Sequence, residues 1–510
     1  MQTAQILIAV GVVSSTFCMP SASMAKPKQH KSPNIIYILA DDLGYGDISV
    51  NNPDSKILTP NIDRLASQGI RFTDAHSPSA VCTPTRYGIL TGRYAWRSPL
   101  KSGVLNGYSQ PLIERDRTTV ASFLKNNGYT TAVVGKWHLG LGWVQKENAG
   151  NRPEANPSSP VKAIHPEQLD FSFPPTDGPL HHGFDYSYIL PASLDMPPYC
   201  YLENGKLTAP LTEQTPGNNP DNGTTGAFWR EGLMAAGFDF ELVTPTFMQK
   251  AVSYIKKQAS SEKPFFLYLP FPSPHTPWLP LPKYNGTSKA GQYGDFVQMV
   301  DAQVGEIMET LTEMGLDDNT IVFFTSDNGP FWKPQFIEEF DHRATSIYRG
   351  MKADAYEGGH RIPLIVRWPG KIKSANQCAE PVSLTGLLAT CAGILTKELS
   401  GKEGEDSFSI LPLLLDNPNE YVRPEALIQH SSKGIFVVRQ GNWKLILGLG
   451  SGGFSKPEYE EAKESGPAGQ LYNLKEDPSE TNNVYLEYPA KVAELNSTLK
   501  KYQETGRSRE

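Results

Sequence analysis

The chain has 510 residues, with 47 Lys and Arg against 54 Asp and Glu and a net charge of −7. That length accommodates about two or three domains with a sizeable buried core, and the mildly acidic balance disfavours a general nucleic-acid binder. Hydrophobic residues at 39% and charged residues at 20% exclude a disordered chain, and 44 Gly with 42 Pro predict many ordered loops.

Residues 5–17 (QILIAVGVVSSTF) form an apolar run. It is too short to span a bilayer, which takes about 20 residues. Small residues follow at Ser23 and Ala25, where a signal peptidase cuts. We read residues 1–25 as a leader and the rest as an exported chain, periplasmic or secreted, without a membrane span. A core-packed N-terminus and a lipid anchor on Cys18 are the alternatives. Cleavage leaves Cys82, Cys200, Cys378 and Cys391, and no CxxC pair argues for a zinc site. If Cys82 is reserved for chemistry, at most one disulfide forms among the other three.

Residues 34–40 (NIIYILA) are a continuous apolar run ending at two aspartates, a buried strand of a parallel-type sheet. Thr59 and Pro60 open, and Gly69 closes, a predicted helix over 60–69. IRFTDAH reads as a short strand, 119–127 as a helix ended by Gly128, and YTTAVVG as a strand. This alternation predicts an α/β sheet covered on both faces. The stretch 141–240 is rich in Pro, Gly, Asn and aromatics and has little periodicity, so it reads as a long functional insert. Helices are predicted over 244–258 and 293–314, and strands over 264–271, 320–329 and 363–370. Beyond residue 415 come short strands (EALIQHS, GIFVVRQG, NWKLILG, GQLYNL) and a helix over 489–504, which predict a small antiparallel sheet. The expected division is 26–415 and 416–510.

Polar clusters sit where strands end: Asp41-Asp42, Lys136-Trp137-His138 and Ser326-Asp327-Asn328-Gly329. A fourth, Cys82-Thr83-Pro84-Thr85-Arg86, opens a helix; His275 follows FPSP and Lys352 precedes YEGGHR. Taken singly, each reads as a turn, a cap or a small buried side chain. Together and in order they make one site, because ligands bind beyond the carboxyl ends of parallel strands. Carboxylates with an amide oxygen are hard ligands for Ca²⁺ or Mg²⁺. Beside them, Arg86, Lys136, Lys352, His138 and His275 suit a tetrahedral oxyanion, so a sulfate or phosphate ester is the expected substrate.

The motifs PNIIYILADDLGYGD (33–47), CTPTRYGILTGR (82–93), GYTTAVVGKWHLG (128–140), SDNG (326–329), RGMKADAYEGGHRIP (349–363) and QLYNLKEDPSETNN (470–483) resemble those of the type I, formylglycine-dependent sulfatases of the alkaline phosphatase superfamily. The resemblance implies a large α/β domain with a mixed central sheet and a smaller C-terminal domain with an antiparallel sheet. It implies that Cys82 of C-x-P-x-R is oxidised to formylglycine by a maturation enzyme. The hydrated aldehyde would attack sulfur, and its second hydroxyl would expel sulfate, an exit that serine lacks. Asp41, Asp42, Asp327 and Asn328 resemble ligands of one Ca²⁺ that also touches the modified Cys82 or a sulfate oxygen. Arg86 would steady the formylglycine, Lys136 and Lys352 would hold sulfate oxygens, His138 would act as base, and His275 would protonate the departing alcohol.

A phosphomonoester or phosphonate hydrolase of the same superfamily, an arylsulfatase of small substrates and a non-enzymatic glycan-binding module are the competing readings. The insert carries Trp143, Trp229, Tyr199, Tyr201, His165, His181 and His182. Aromatic faces pack on sugar rings, so we expect a sulfated carbohydrate, in particular a sulfated galactan oligosaccharide such as carrageenan. Core packing explains single members of this group equally well.

Overall fold

The computed structural model describes residues 1, 32–148, 150, 154, 159–220 and 225–510. Apart from Met1, the expected leader, Cys18 included, lies outside the described residues. Ten strands build the main sheet: β1 (Asn34–Asp41), β2 (Ile70–Phe72), β3 (Thr130–Lys136), β4 (Tyr186–Leu190), β5 (Leu202–Glu203), β6 (Lys206–Leu207), β7 (Phe265–Pro274), β8 (Thr320–Ser326), β9 (Leu364–Arg367) and β10 (Asn376–Cys378). Their spatial order is β10-β2-β9-β8-β1-β7-β3-β4-β5-β6. The strands from β8 through β1, β7 and β3 to β4 run parallel. Antiparallel neighbours at both sides make the sheet mixed.

All of β1 is buried, as its unbroken apolar run predicts for a strand covered on both faces. Side chains alternate between faces along a strand. Ile35, Tyr37 and Leu39 join one core with α2 (Cys82–Thr91), α3 (Val120–Asn126) and a helix over Leu387–Ile394. Ile36, Ile38 and Ala40 join the other with α1 (Pro60–Ser67) and helices over Val243–Gln258 and Gly291–Glu313.

Two local expectations need correction. Residues 70–76 are not one strand: pairing breaks at Thr73-Asp74, and Ala75–His76 pairs with Val382–Ser383 in a separate ribbon. The 141–240 stretch is not wholly irregular, because β4, β5 and β6 extend the main sheet. Its aromatics largely serve packing. Trp143 is buried edge-on against Phe171 at 5.2 Å, its indole N–H donating to the Gly107 carbonyl at 2.8 Å. Tyr199 packs on Phe240 and Tyr201 on Tyr188, His182 is buried and pairs with Asp177, and His181 is exposed. Trp229 stacks on Phe240 at 4.4 Å and stays half-buried beside a cleft. Cys82, Cys200, Cys378 and Cys391 are all free thiols.

The small sheet comprises Leu427–His430, Phe436–Gln440, Trp443–Ile446 and Gln470–Asn473, all antiparallel. The C-terminal helix Pro489–Thr505 buries Val492, Leu495, Leu499 and Tyr502 against Ile428, Val438, Leu445 and Leu471. This sheet is bonded to the larger domain through a buried ionic chain. Lys444 on the small sheet reaches Glu357 at 3.1 Å and Glu480 at 2.8 Å, all three fully buried. Arg361 and His76 hold the other oxygen of Glu357. Removing one member strands buried carboxylates, so Lys444→Met is expected to cost about 3–5 kcal/mol, read from the denaturant midpoint.

Candidate active site

Parallel strands bring like ends to one edge of the sheet. β1 ends at Asp41 and leads into Asp42; β3 ends at Lys136, two residues before His138; β7 ends just before His275; β8 ends just before Asp327 and Asn328. The start of α2 supplies Cys82 and, one turn on, Arg86, and the segment ahead of β9 supplies Lys352. The sequence-derived site residues therefore share one crevice.

Its centre is an ionic lattice sealed from solvent. Lys136 Nζ lies 2.5 Å from Asp41 Oδ2, and Lys352 Nζ donates to Asp42 Oδ2 at 2.8 Å. Arg86 forks onto Asp327 Oδ2 through Nε at 3.0 Å and Nη2 at 2.7 Å, and donates to the Lys136 carbonyl at 2.9 Å. Asn328 Nδ2 donates to Asp42 Oδ1 at 2.7 Å. Burial opposes ionisation of Asp41, but Lys136 and its other cationic neighbours hold the carboxyl well below the usual range. Burial and the like charge of Asp41 push Asp327 up to about 7, against the pull of Arg86.

These residues fit a hard divalent cation. Asp41 Oδ1 and Asn328 Oδ1 are buried oxygens without a hydrogen-bond partner among the described residues, a state that polar atoms rarely keep without a ligand. Carboxylate oxygens of Asp41 and Asp42 and a ring nitrogen of His275 lie within 4.8 Å of one another. The three carboxylates are balanced by Arg86, Lys136 and Lys352. A divalent ion would leave the crevice with about two positive charges for an anionic substrate, in line with its donor chemistry.

Cys82 faces this lattice from the start of α2, with Lys136 and Lys352 among its charged neighbours. Burial raises its thiol to about 11, so as cysteine it is a poor nucleophile. Its Sγ lies 3.3 Å from His138 Nδ1. His138 Nε2 sits 2.7 Å from the Leu105 carbonyl. A carbonyl only accepts, so Nε2 carries the proton and Nδ1 offers its lone pair to position 82. Burial, then Lys136, drives the His138 pKa well below its ordinary value and keeps the ring neutral. By the same reasoning His275 Nδ1, 2.6 Å from the Thr276 carbonyl, carries a proton. Its Nε2 faces Asp42 Oδ2 at 3.7 Å.

Two of these residues are held in the left-handed region, Asp42 at φ 64° and His138 at φ 56°. Such conformations cost about 1–3 kcal/mol each and persist only where their surroundings enforce them. The Asp42 carbonyl accepts from Tyr293, and the His138 amide donates to the Pro191 carbonyl. Gly329 has a steric reason: a Cβ there would meet the Gly358 carbonyl oxygen at 1.8 Å, so glycine lets the Lys352 segment close onto β8.

Ser193 and Asp195 were not among the sequence candidates. Ser193 Oγ accepts from Lys136 Nζ at 3.2 Å and lies 3.4 Å from His275 Nδ1. Asp195 is buried two residues on and pairs with Arg230. Both follow the end of β4, and the signal was the apolar run YSYIL leading to Ser193 and Asp195 inside a stretch otherwise read as loop.

Residues 33–396 match the family described as Sulfatase. The chain is similar to an N-acetylgalactosamine-6-O-sulfatase of Bacteroides thetaiotaomicron, 36% identical over 96% of both chains. It is also similar to human arylsulfatase A, 30% identical over 93% of this chain and 87% of the other. A solved structure from work on glycosaminoglycan metabolism in Bacteroides thetaiotaomicron superposes with a TM-score of 0.76 at 34% identity, covering 93% of this chain and 100% of that one. With that match and relatives aligned along nearly its whole length, the chain belongs to the sulfatase family, the enzymes that hydrolyse sulfate esters.

Proposed function

We propose that this sulfatase desulfates a carbohydrate, with position 82 matured to formylglycine and one Ca²⁺ held by Asp41, Asp42, Asp327 and Asn328 beside it. The observation that carries the chemistry is the meeting of Cys82, the free lone pair of His138 Nδ1 and the oxygen-rich ionic lattice. A formylglycine supplies a hydrated aldehyde as nucleophile with a built-in exit for sulfate. A calcium ion supplies charge to neutralise the sulfate oxygens. Lys136, paired with Asp41, and Lys352, paired with Asp42, present ammonium groups to those oxygens. Arg86 fixes Asp327 and the Lys136 backbone, so it acts by positioning. His138 Nδ1 takes the proton from position 82. In the free site burial, then Lys352, lowers the pKa of His275 despite Asp42, Asp41 and Asp195, so Nε2 takes up a proton when a bound sulfate ester adds its negative charge, and then delivers it to the departing alcohol.

The carbohydrate assignment is supported by the 36% identical relative named for N-acetylgalactosamine 6-sulfate and by a cleft of about 680 Å³. Leu105, whose carbonyl orients His138, lines this cleft with Trp229 and Arg230. Within the class we place a galactose-configured 6-sulfate first and the sulfated galactan second. The leader-like N-terminus supports an exported enzyme, periplasmic or secreted; no helix among the described residues is long and apolar enough to cross a membrane.

The test is sulfate release from N-acetylgalactosamine 6-sulfate, carrageenan oligosaccharides and 4-nitrophenyl sulfate, with 4-nitrophenyl phosphate as control. We expect a sulfated sugar to give the highest kcat/KM. Turnover of 4-nitrophenyl sulfate with no release from any sugar would refute the carbohydrate assignment. Preference for the phosphate would refute sulfate as the transferred group.

A further inference from the structure

The desulfation chemistry leaves unused a buried carboxylate close to the catalytic lattice. Asp195 is 3% exposed, and its Oδ1 has no hydrogen-bond partner among the described residues. Its Oδ2 is held by Arg230 Nη1, which also donates to the Asp195 carbonyl at 3.1 Å. Burial opposes the charge of Asp195, but His275, Arg230 and the neighbouring Ser193 hydroxyl keep it ionised, with its pKa lowered to about 2. One oxygen of this buried carboxylate is paired with Arg230, and the other is left open to a donor.

Its position gives that oxygen a task. Ser193, two residues earlier, touches both Lys136 and His275, the groups assigned to the sulfate and to the leaving oxygen. Arg230 lies on the other side, lining the cleft with Trp229, Asn218 and Leu105. Its side chain is 44% exposed, and its guanidinium lies over Phe228 at 5.2 Å. Among the described residues, only Nη1 of that guanidinium has a protein acceptor. Arg230 thus lines the cleft, and Asp195 sits behind it with His275 among its charged neighbours.

We propose that Asp195 and Arg230 together read a ring hydroxyl on the sugar that bears the sulfate. A carboxylate only accepts hydrogen bonds and a guanidinium only donates them. A hydroxyl does both, and satisfies the two in one contact. The ring of a small aryl sulfate offers no such group. The proposal rests on the carbohydrate reading and adds to it a selectivity device outside the catalytic lattice.

The experiment is the ratio of kcat/KM on the best sulfated sugar of the panel above to kcat/KM on 4-nitrophenyl sulfate, for wild type, Asp195→Asn, Arg230→Ala and Arg230→Lys. A ratio cancels damage common to both substrates. A site built to bond a hydroxyl discriminates strongly against ligands lacking it, so the ratio is expected to fall about 100-fold in Asp195→Asn and Arg230→Ala, and less in Arg230→Lys. Ratios within about threefold of wild type in both strong variants, whatever the absolute rates, would overturn the proposal and leave a clamp between two loops. Arg230 is partly exposed, so its variants keep the test alive if Asp195→Asn misfolds. A wild type without activity on any sulfated sugar would overturn the carbohydrate reading first and this proposal with it, and that outcome shows before any variant is measured.

Discussion

Cys82→Ala is expected to release sulfate at least about 10⁴-fold more slowly than wild type, on the scale of removing a catalytic nucleophile. The side chain is small and 3% exposed, so stability should change by no more than about 1–2 kcal/mol. What is lost is the atom facing His138 Nδ1 at 3.3 Å. Cys82→Ser should be equally inactive in a host that modifies only cysteine, although a serine oxygen occupies nearly the same place. Mass spectrometry of the tryptic peptide spanning position 82 provides the companion measurement: active wild type carries formylglycine there, and both variants do not. Undiminished turnover by Cys82→Ala would end the mechanism.

Removing a carboxylate from the lattice should be nearly as severe. Asp327→Asn keeps the shape and one acceptor for Arg86 but deletes a negative charge from the cation site. We expect calcium content to drop and activity to fall at least about 100-fold, the upper range for mutations in outer metal shells. Asp327→Ala adds a structural penalty, because Arg86 is fully buried and would lose its fork. Calcium added to stripped wild-type protein should raise its thermal midpoint, by about 2.7 kcal/mol of stabilisation at a hundredfold excess over Kd, and should leave Asp327→Asn unmoved. One equivalent of zinc in place of calcium would contradict the ligand set.

The residues that gather at the crevice were legible for a simple reason. Apolar runs such as NIIYILA and TIVFFTS announce buried strands, and the polar residues that follow them must lie at one sheet edge if the strands are parallel. The orientation of His138 was not legible, since it depends on the carbonyl of Leu105, 33 residues away. Nor was the left-handed backbone of Asp42, which depends on long-range partners such as Tyr293. Ser193 and Asp195 were hidden because β4 lies in a Pro- and Gly-rich stretch whose composition masks a five-residue strand. Aromatic content misled in the opposite direction: Trp143 and Tyr199 looked available to a sugar, yet they fill space between loops.

The grip of the small C-terminal sheet on the Lys352 segment has a consequence for how the protein is made. The amides of Ala355 and Ser432 bond across the junction to Ser451 and Ala353, and Asp354 accepts from Phe454 and Ser455. Lys444 anchors Glu357 a few residues on, and its other partner, Glu480, lies 398 positions after Cys82. A ribosome has thus added 398 residues beyond Cys82 before the last wall of the crevice can be set. All ten residues of α2 are buried once it packs, so any enzyme that modifies Cys82 has to reach it beforehand. Late synthesis of the clasp keeps that window open. A transcript with a premature stop between residues 416 and 431 would yield a protein that keeps Cys82 and the proposed cation ligands and has no clasp for Lys352.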